Sequence, residues 1–129
     1  MAKRQSIMWP GFAHQNPIPN ASRIGNMVMS SVIGPRDPTT GTVPDTLEEQ
    51  VKNLFLQLSA AIEAAGGTPD DFLKIEFWAK DQAAGRAALN GEWEKMFPDP
   101  AARPARHTQA LPGNSPAQIQ CAFTAVIGG

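Results

Sequence analysis

Tyrosine is absent from this sequence, cysteine occurs once and histidine twice. With Cys121 alone, no intrachain disulfide can form and no cysteine-based zinc site is expected. That usage fits a reducing compartment, and a cytoplasmic location is expected. His14 and His107 lie far apart and belong to no metal-ligand spacing, so no metal and no cofactor are expected. No apolar run approaches the ~18 residues that span a bilayer, and the basic start "MAKRQSIMWPGF" has no apolar segment behind it of the kind a signal peptide carries. Excess charge is lacking too: Lys and Arg total 11 against 12 Asp and Glu, a net charge of −1. Without a basic stripe, neither a nucleic-acid nor a membrane partner is expected. There is no Gly-rich phosphate loop, no internal repeat, and no spacing that supports a Ser-His-Asp triad.

What remains is a chain of 129 residues, 42% hydrophobic, enough for the core of one domain over residues 1–129. "SIMW" (6–9) reads as a short strand before Pro10-Gly11. "ASRIGNMVMSSVIG" (21–34) reads as two strands joined at the turn-prone pair Gly25-Asn26. A Gly- and Pro-punctuated loop (34–45) leads to the clearest helix, "TLEEQVKNLFLQLSAAIEAAGG". There Thr46 and Glu49 have capping-box spacing, and Leu47, Val51, Leu54, Phe55, Leu58 and Ile62 form one apolar face. Gly66-Gly67 supplies its stop.

"FLKIEFWAK" (72–80) alternates as a strand, with Leu73, Ile75, Phe77 and Ala79 on one face. Asp81 caps a second helix running to about Phe97, with Leu89, Trp93, Met96 and Phe97 on its buried side. Two strands follow, at about 105–111 and at 118–127, the latter with Ile119, Cys121, Phe123, Ala125 and Ile127 on one face. The order β-β-β-α-β-α-β-β predicts an α+β two-layer fold with both helices on one face of a mixed sheet. The opposite face would carry Met29, Thr108, Ala122, Thr124 and Val126, few of them charged. A chain this short has nothing left to cover it, so self-association is expected.

The stretch "RPARHTQALPG" (103–113) holds the most informative charge. Regular alternation points Arg106 and His107 to opposite faces. From spacing alone, Arg106 is a surface charge, half of an ion pair, or an anchor for an anion.

Taken together, "IGNMVMSSVIGPRDPTTGTVP", "QVKNLFLQLSAAIEAAGG" with "DFLKIEFWAKD", and "LNGEWEKMFPDPAARPARHTQALPG" leading into "IQCAFTAVI" resemble the RidA/YjgF family of reactive-intermediate imine deaminases over nearly the whole length. The resemblance implies a chorismate-mutase-like α+β subunit and a homotrimer with pockets between neighbouring subunits. It also implies hydrolysis of small enamines or imines bearing a carboxylate to 2-oxo acids and ammonia. Carried over by position, the substrate-carboxylate arginine falls on Arg106, the third-strand serine on Ser31 (with Ser30 before it) and the second-helix asparagine on Asn90. Four positions depart from the family. Its pocket tyrosine is Ile18 here, and its water-positioning glutamate falls on Thr124. Val32 stands for the glycine after the serine, and Arg103 for a phenylalanine.

Arginine suits a carboxylate because its planar fork binds both oxygens. An iminium carbon is already electrophilic, so hydrolysis needs chiefly a placed water and a proton route. Losing the glutamate removes a carboxylate for proton transfer, typically ~10²–10⁴-fold. Thr124 can hydrogen-bond a water without acting as a base. Ser31, Asn90 and Ile18 would line the pocket, with Glu92 as a candidate substitute acid. Arg103 and Arg36 read as solvated loop charges, with a second anion contact as the sharper alternative. His107 reads as a packed or surface histidine. Three functions therefore compete: a deaminase of specialised range, a non-catalytic trimeric binder of small carboxylates, and RNA cleavage, which the acidic balance makes the weakest.

Overall fold

The structure is a computed structural model describing residues 3–128. Its elements are β1 (Arg4–Ile7), β2 (Ala21–Ile24), β3 (Met27–Ser30), α1 (Leu47–Ala64), a 3-10 turn (Pro69–Asp71), β4 (Phe72–Ala79), α2 (Gln82–Met96), β5 (Ala105–Ala110) and β6 (Ile119–Val126). The predicted order stands, although the first strand begins before Ser6 and ends at Ile7. The six strands form one sheet in the order β1-β2-β3-β6-β4-β5, in which β4 and β5 alone run parallel. Both helices lie on one face, an α+β architecture.

Local signals explain the boundaries. Gly25, at φ +59°, turns β2 into β3 with Ile24 opposite Met27. At the start of α1 the Thr46 hydroxyl accepts the Glu49 amide at 3.2 Å, but the Glu49 carboxylate takes the Thr46 hydroxyl at 2.9 Å instead of the backbone amide of a full box. At its end Gly66 has φ +81°, Gly66 N–H donates to Glu63 O and Gly67 N–H to Ile62 O, the paired bonds of a Schellman stop. Asp81 caps α2 by accepting the Ala84 amide at 3.0 Å.

The core lies between sheet and helices: Val51, Leu54, Leu58 and Ile62 of α1 and Leu89 and Trp93 of α2 pack on Ile75, Phe77, Cys121 and Phe123. Burial pushes the Cys121 thiol far above its ordinary pKa, so it is an inert apolar filler. Two expectations about the faces are corrected. Leu73 is 58% exposed, and Phe72 takes the core place instead, edge-on to Phe123 at 5.1 Å. The cause is a bulge between Phe72 and Lys74, which shifts the alternation by one residue. Thr108 is not on the open face either: it pairs with buried Phe77 in parallel register, so it shares the helix-facing side.

The open face carries Ile24, Met27, Met29 and Val126 on adjoining strands, all exposed, beside half-buried Ala122 and Thr124. On the other side α1 presents three buried carboxamides at one-turn spacings. Gln50 Nε2 donates to Pro44 O and Pro116 O, Asn53 Nδ2 to Pro35 O, and Gln57 Nε2 to Arg36 O and Gly11 O. Gln57 Oε1 also accepts the Trp9 indole N–H at 2.9 Å. Proline-rich loops bury carbonyls and have few amides to pair them with, and these side chains supply the missing donors.

Candidate functional site

Arg106 lies on edge strand β5 opposite Ile75 and therefore projects to the helix side, while His107, opposite Glu76, projects to the open face. The guanidinium carbon sits 5.1 Å from the centre of the Trp93 ring of α2. Nη2 donates to Oδ1 of Asn90, one turn before Trp93, at 3.0 Å. Asn90 and Trp93 share a helix face, so α2 presents a stacking surface and an acceptor together. Among the described residues no carboxylate comes within ion-pair distance of Arg106. The ion-pair reading of this arginine is therefore set aside. Burial, and secondarily the charge of Arg86, lower its pKa from the ordinary value, which for so strong a base leaves it a cation. A half-buried guanidinium held flat, with one donor engaged on a neutral acceptor, can take a carboxylate.

The remaining predicted residues gather elsewhere. Ser31 follows β3; its hydroxyl donates to Pro19 O at 2.8 Å and its amide to Asn20 O at 3.0 Å, which ties the loop before β2 to the end of β3. Ser30 accepts the Phe123 amide at 2.9 Å and so prolongs the β3–β6 ladder beyond Met29 and Thr124. Ile18, in that tied loop, is 45% exposed. Thr124 is half-buried on the open face, between Met29 and Lys74. Arg106 and Asn90 thus meet, whereas Ser31, Ile18 and Thr124 do not reach them. Strands β4 and β6 separate β5 from β3, about 14 Å at ~4.8 Å per strand, and Thr124 faces the opposite side of the sheet.

The other charges sort simply. Arg103 Nε donates to Phe97 O at 2.9 Å, closing the end of α2. Glu92 pairs with Lys95 at 3.1 Å and lines a different cleft, with Phe55, Ser59 and Met96, away from the Arg106 cluster. Arg36 is not a solvated loop charge: it is half-buried, with its guanidinium carbon 5.4 Å from the Phe12 ring centre and Nη1 donating to Ala13 O at 3.1 Å. It borders a cleft of about 380 Å³ with Phe12, His14, Val32, Gly34 and Gln120. Sequence reasoning missed Gln120; the signal was present, since alternation along β6 puts it on the same face as Ala122 and Thr124.

Comparison with known proteins decides the ancestry. The family profile described as Endoribonuclease L-PSP matches residues 12–121. The chain belongs to the RidA/YjgF family. A RutC family protein of Haemophilus influenzae is 36% identical over 81 residues, 63% of this chain and 62% of that one, so the match spans less than two thirds of that relative. A 2-iminobutanoate/2-iminopropanoate deaminase of Escherichia coli (strain K12) is 33% identical over 96 residues, 74% of this chain and 69% of that one. Among solved family structures, the YjgF gene product of Escherichia coli superposes with a TM-score of 0.80 at 27% identity, covering 95% of this chain and 98% of that one. A probable translation initiation inhibitor from Rhodopseudomonas palustris gives 0.85 at 22% identity over 96% and 98%, a likeness of fold.

Proposed function

We propose that this family member hydrolyses a small imine or enamine bearing a carboxylate. The site would be a pocket formed where the Arg106, Asn90 and Trp93 cluster of one subunit faces the Ser31, Ile18 and Thr124 side of the next in a homotrimer. The observation that carries this reading is Arg106 itself: half-buried, stacked on Trp93, bonded to Asn90 and paired with no carboxylate. The naming of a 33%-identical relative as a 2-iminobutanoate/2-iminopropanoate deaminase supports it. In the reaction, water adds to the C=N carbon of the iminium, a proton moves to nitrogen, and the C–N bond breaks to leave a 2-oxo acid and ammonium. Arg106 holds the carboxylate, and Thr124 orients water without taking its proton.

The test is ammonia release from freshly generated 2-iminopropanoate and 2-iminobutanoate, above the rate in buffer. Turnover is expected to be slow for the family, because no carboxylate stands at position 124. Arg106→Gln should lower kcat/KM roughly 30- to 1,000-fold, the ~2–4 kcal/mol of a charged hydrogen-bonded partner. Ammonia release unaffected by Arg106→Gln sinks the assignment of the anchor. The second reading, a binder without turnover, is favoured by the neutral hydroxyl of Thr124. It predicts saturable binding of pyruvate, dependent on Arg106, with no ammonia released.

A further inference from the structure

Arg106 is not the only cation beside Asn90. Along α2, Gly85, Leu89 and Trp93 are buried, and Arg86 and Asn90 lie one residue round from them, on the flank. The hydrogen bond from Arg106 to Asn90 shows that this flank overhangs β5. Strands β4 and β5 are parallel, so α2, which joins them, runs back against both. One turn from Asn90 toward the start of α2, about 6 Å along its axis, therefore matches the step from Arg106 to Thr108 on the helix side of β5. Arg86 stands at that turn, near enough for its charge to add to the lowering of the Arg106 pKa. No acid on the helix answers it: its neighbours one turn away are Gln82, Ala83, Leu89 and Asn90. Among the described residues no carboxylate lies within ion-pair distance of Arg86 or Arg106. Two guanidiniums thus share one strand edge with an amide, a hydroxyl and no anion. Like charges in one place are unfavourable until something bound there neutralises them.

We propose that the ligand of this site is a dicarboxylate, a 2-imino or 2-oxo acid with a second carboxylate at the far end of a four- or five-carbon chain, and that Arg86 selects it. The proposal rests on Arg106 as the anchor of the first carboxylate, and not on turnover. Charge sets the class: Arg106 balances one carboxylate and Arg86 the other. The single helical turn between Arg86 and Asn90 is a gap that such a chain bridges. Asn90 sits between the two cations with its Oδ1 taken by Arg106, which leaves Nδ2 to donate to the ligand. Arg103, the other candidate for a second anion contact, is turned to Phe97 O at the opposite end of α2.

The test compares two acids of one chain length in the intact protein, 2-oxoglutarate and 2-oxopentanoate, which differ by the distal carboxylate. Each is titrated at constant ionic strength and followed by NMR at the indole N–H of Trp93, beside Arg106. The native protein should bind 2-oxoglutarate at least about tenfold more tightly, as for one added charged hydrogen-bonding partner. Arg86 is exposed, so Arg86→Gln leaves the core untouched, and there the two affinities should come within about twofold of each other. Arg106→Gln should weaken both acids. Equal affinities in the native protein, or a preference unchanged in Arg86→Gln, overturn the proposal and leave the Arg106 anchor standing. Affinities for both acids unmoved by Arg106→Gln defeat the anchor and this proposal with it. A preference that collapses in Arg86→Gln, with no ammonia released from 2-iminoglutarate, defeats hydrolysis and upholds the diacid.

Discussion

At the scale of single residues, the partner of Arg106 matters more than its position. Asn90 offers a neutral oxygen at 3.0 Å, which orients the guanidinium without spending its charge. Replacing Asn90 by aspartate changes one group and supplies a carboxylate in the same place. The arginine then becomes half of an internal ion pair, and Asn90→Asp is expected to weaken pyruvate binding about tenfold while leaving the fold intact. Titration followed at the Trp93 indole N–H checks this; unchanged affinity means that the Asn90 oxygen does not share the ligand's site. His14 gives a second test. Its pKa is lowered from the ordinary 6.5, so the folded chain binds its proton less readily than the unfolded chain does. Stability is therefore full above that value, declines as the pH falls through 6.5, and levels off below the lowered value. In a carboxylate-free buffer, the drop in Tm between pH 8 and pH 5 should be smaller in His14→Asn than in the native protein. Equal drops would show that the buried imidazole carries no such penalty.

Secondary-structure elements show what the sequence made legible. The apolar stripe of α1, the Asp81 cap and the Gly66-Gly67 stop are local features, and each stands where spacing put it. Phe72 takes the place that alternation gives Leu73 because the bulge sits at the very start of β4: the alternation from Lys74 onward is intact, and only the pairing with β6 reveals the shift. Thr108 was assigned to the wrong face for a related reason, since the register of an edge strand is set by its neighbour and not by its own residues. At the site, the arginine and asparagine were legible as a motif, but their contact arises from α2 lying against β5. The loop that carries Arg36 has no periodicity to mark it as held, yet α1 ties it down through Gln57. Gln57→Ala removes the partners of the Trp9 indole and of the Arg36 carbonyl at once. It should cost about 1–3 kcal/mol, seen as a lower urea midpoint at unchanged m-value. A midpoint within error of the native one would mean that water replaces the side chain and that the loop is not anchored through it.

At the scale of the whole molecule, the proposed pocket draws on residues from two faces of one sheet. Arg106 looks toward the helices from an edge strand, while Thr124 looks out from an interior strand toward the uncovered apolar face. A single chain would need to bend its sheet back on itself to join them. In the proposed trimer, packing of the uncovered face against other copies would bring the edge of one subunit to the face of the next, and a closed ring of three would make every pocket equivalent. Subunit mixing tests this. Arg106→Gln disables one half of the proposed pocket, and Ile18→Glu, at an exposed position, crowds and repels an anion from the other. Each variant alone should be inactive. Unfolded together, refolded and mixed in equal amounts, they should regenerate about a quarter of the native pockets, those with both unaltered halves at one boundary. Ammonia release, or pyruvate-binding stoichiometry if turnover is absent, measures the fraction. Native protein should sediment at three times the 13.8 kDa chain mass, and Met29→Glu with Val126→Glu on the open face should yield monomers that neither bind nor turn over. No recovery on mixing, with trimers re-formed, would place the pocket within one chain and require Arg106 to work without Thr124.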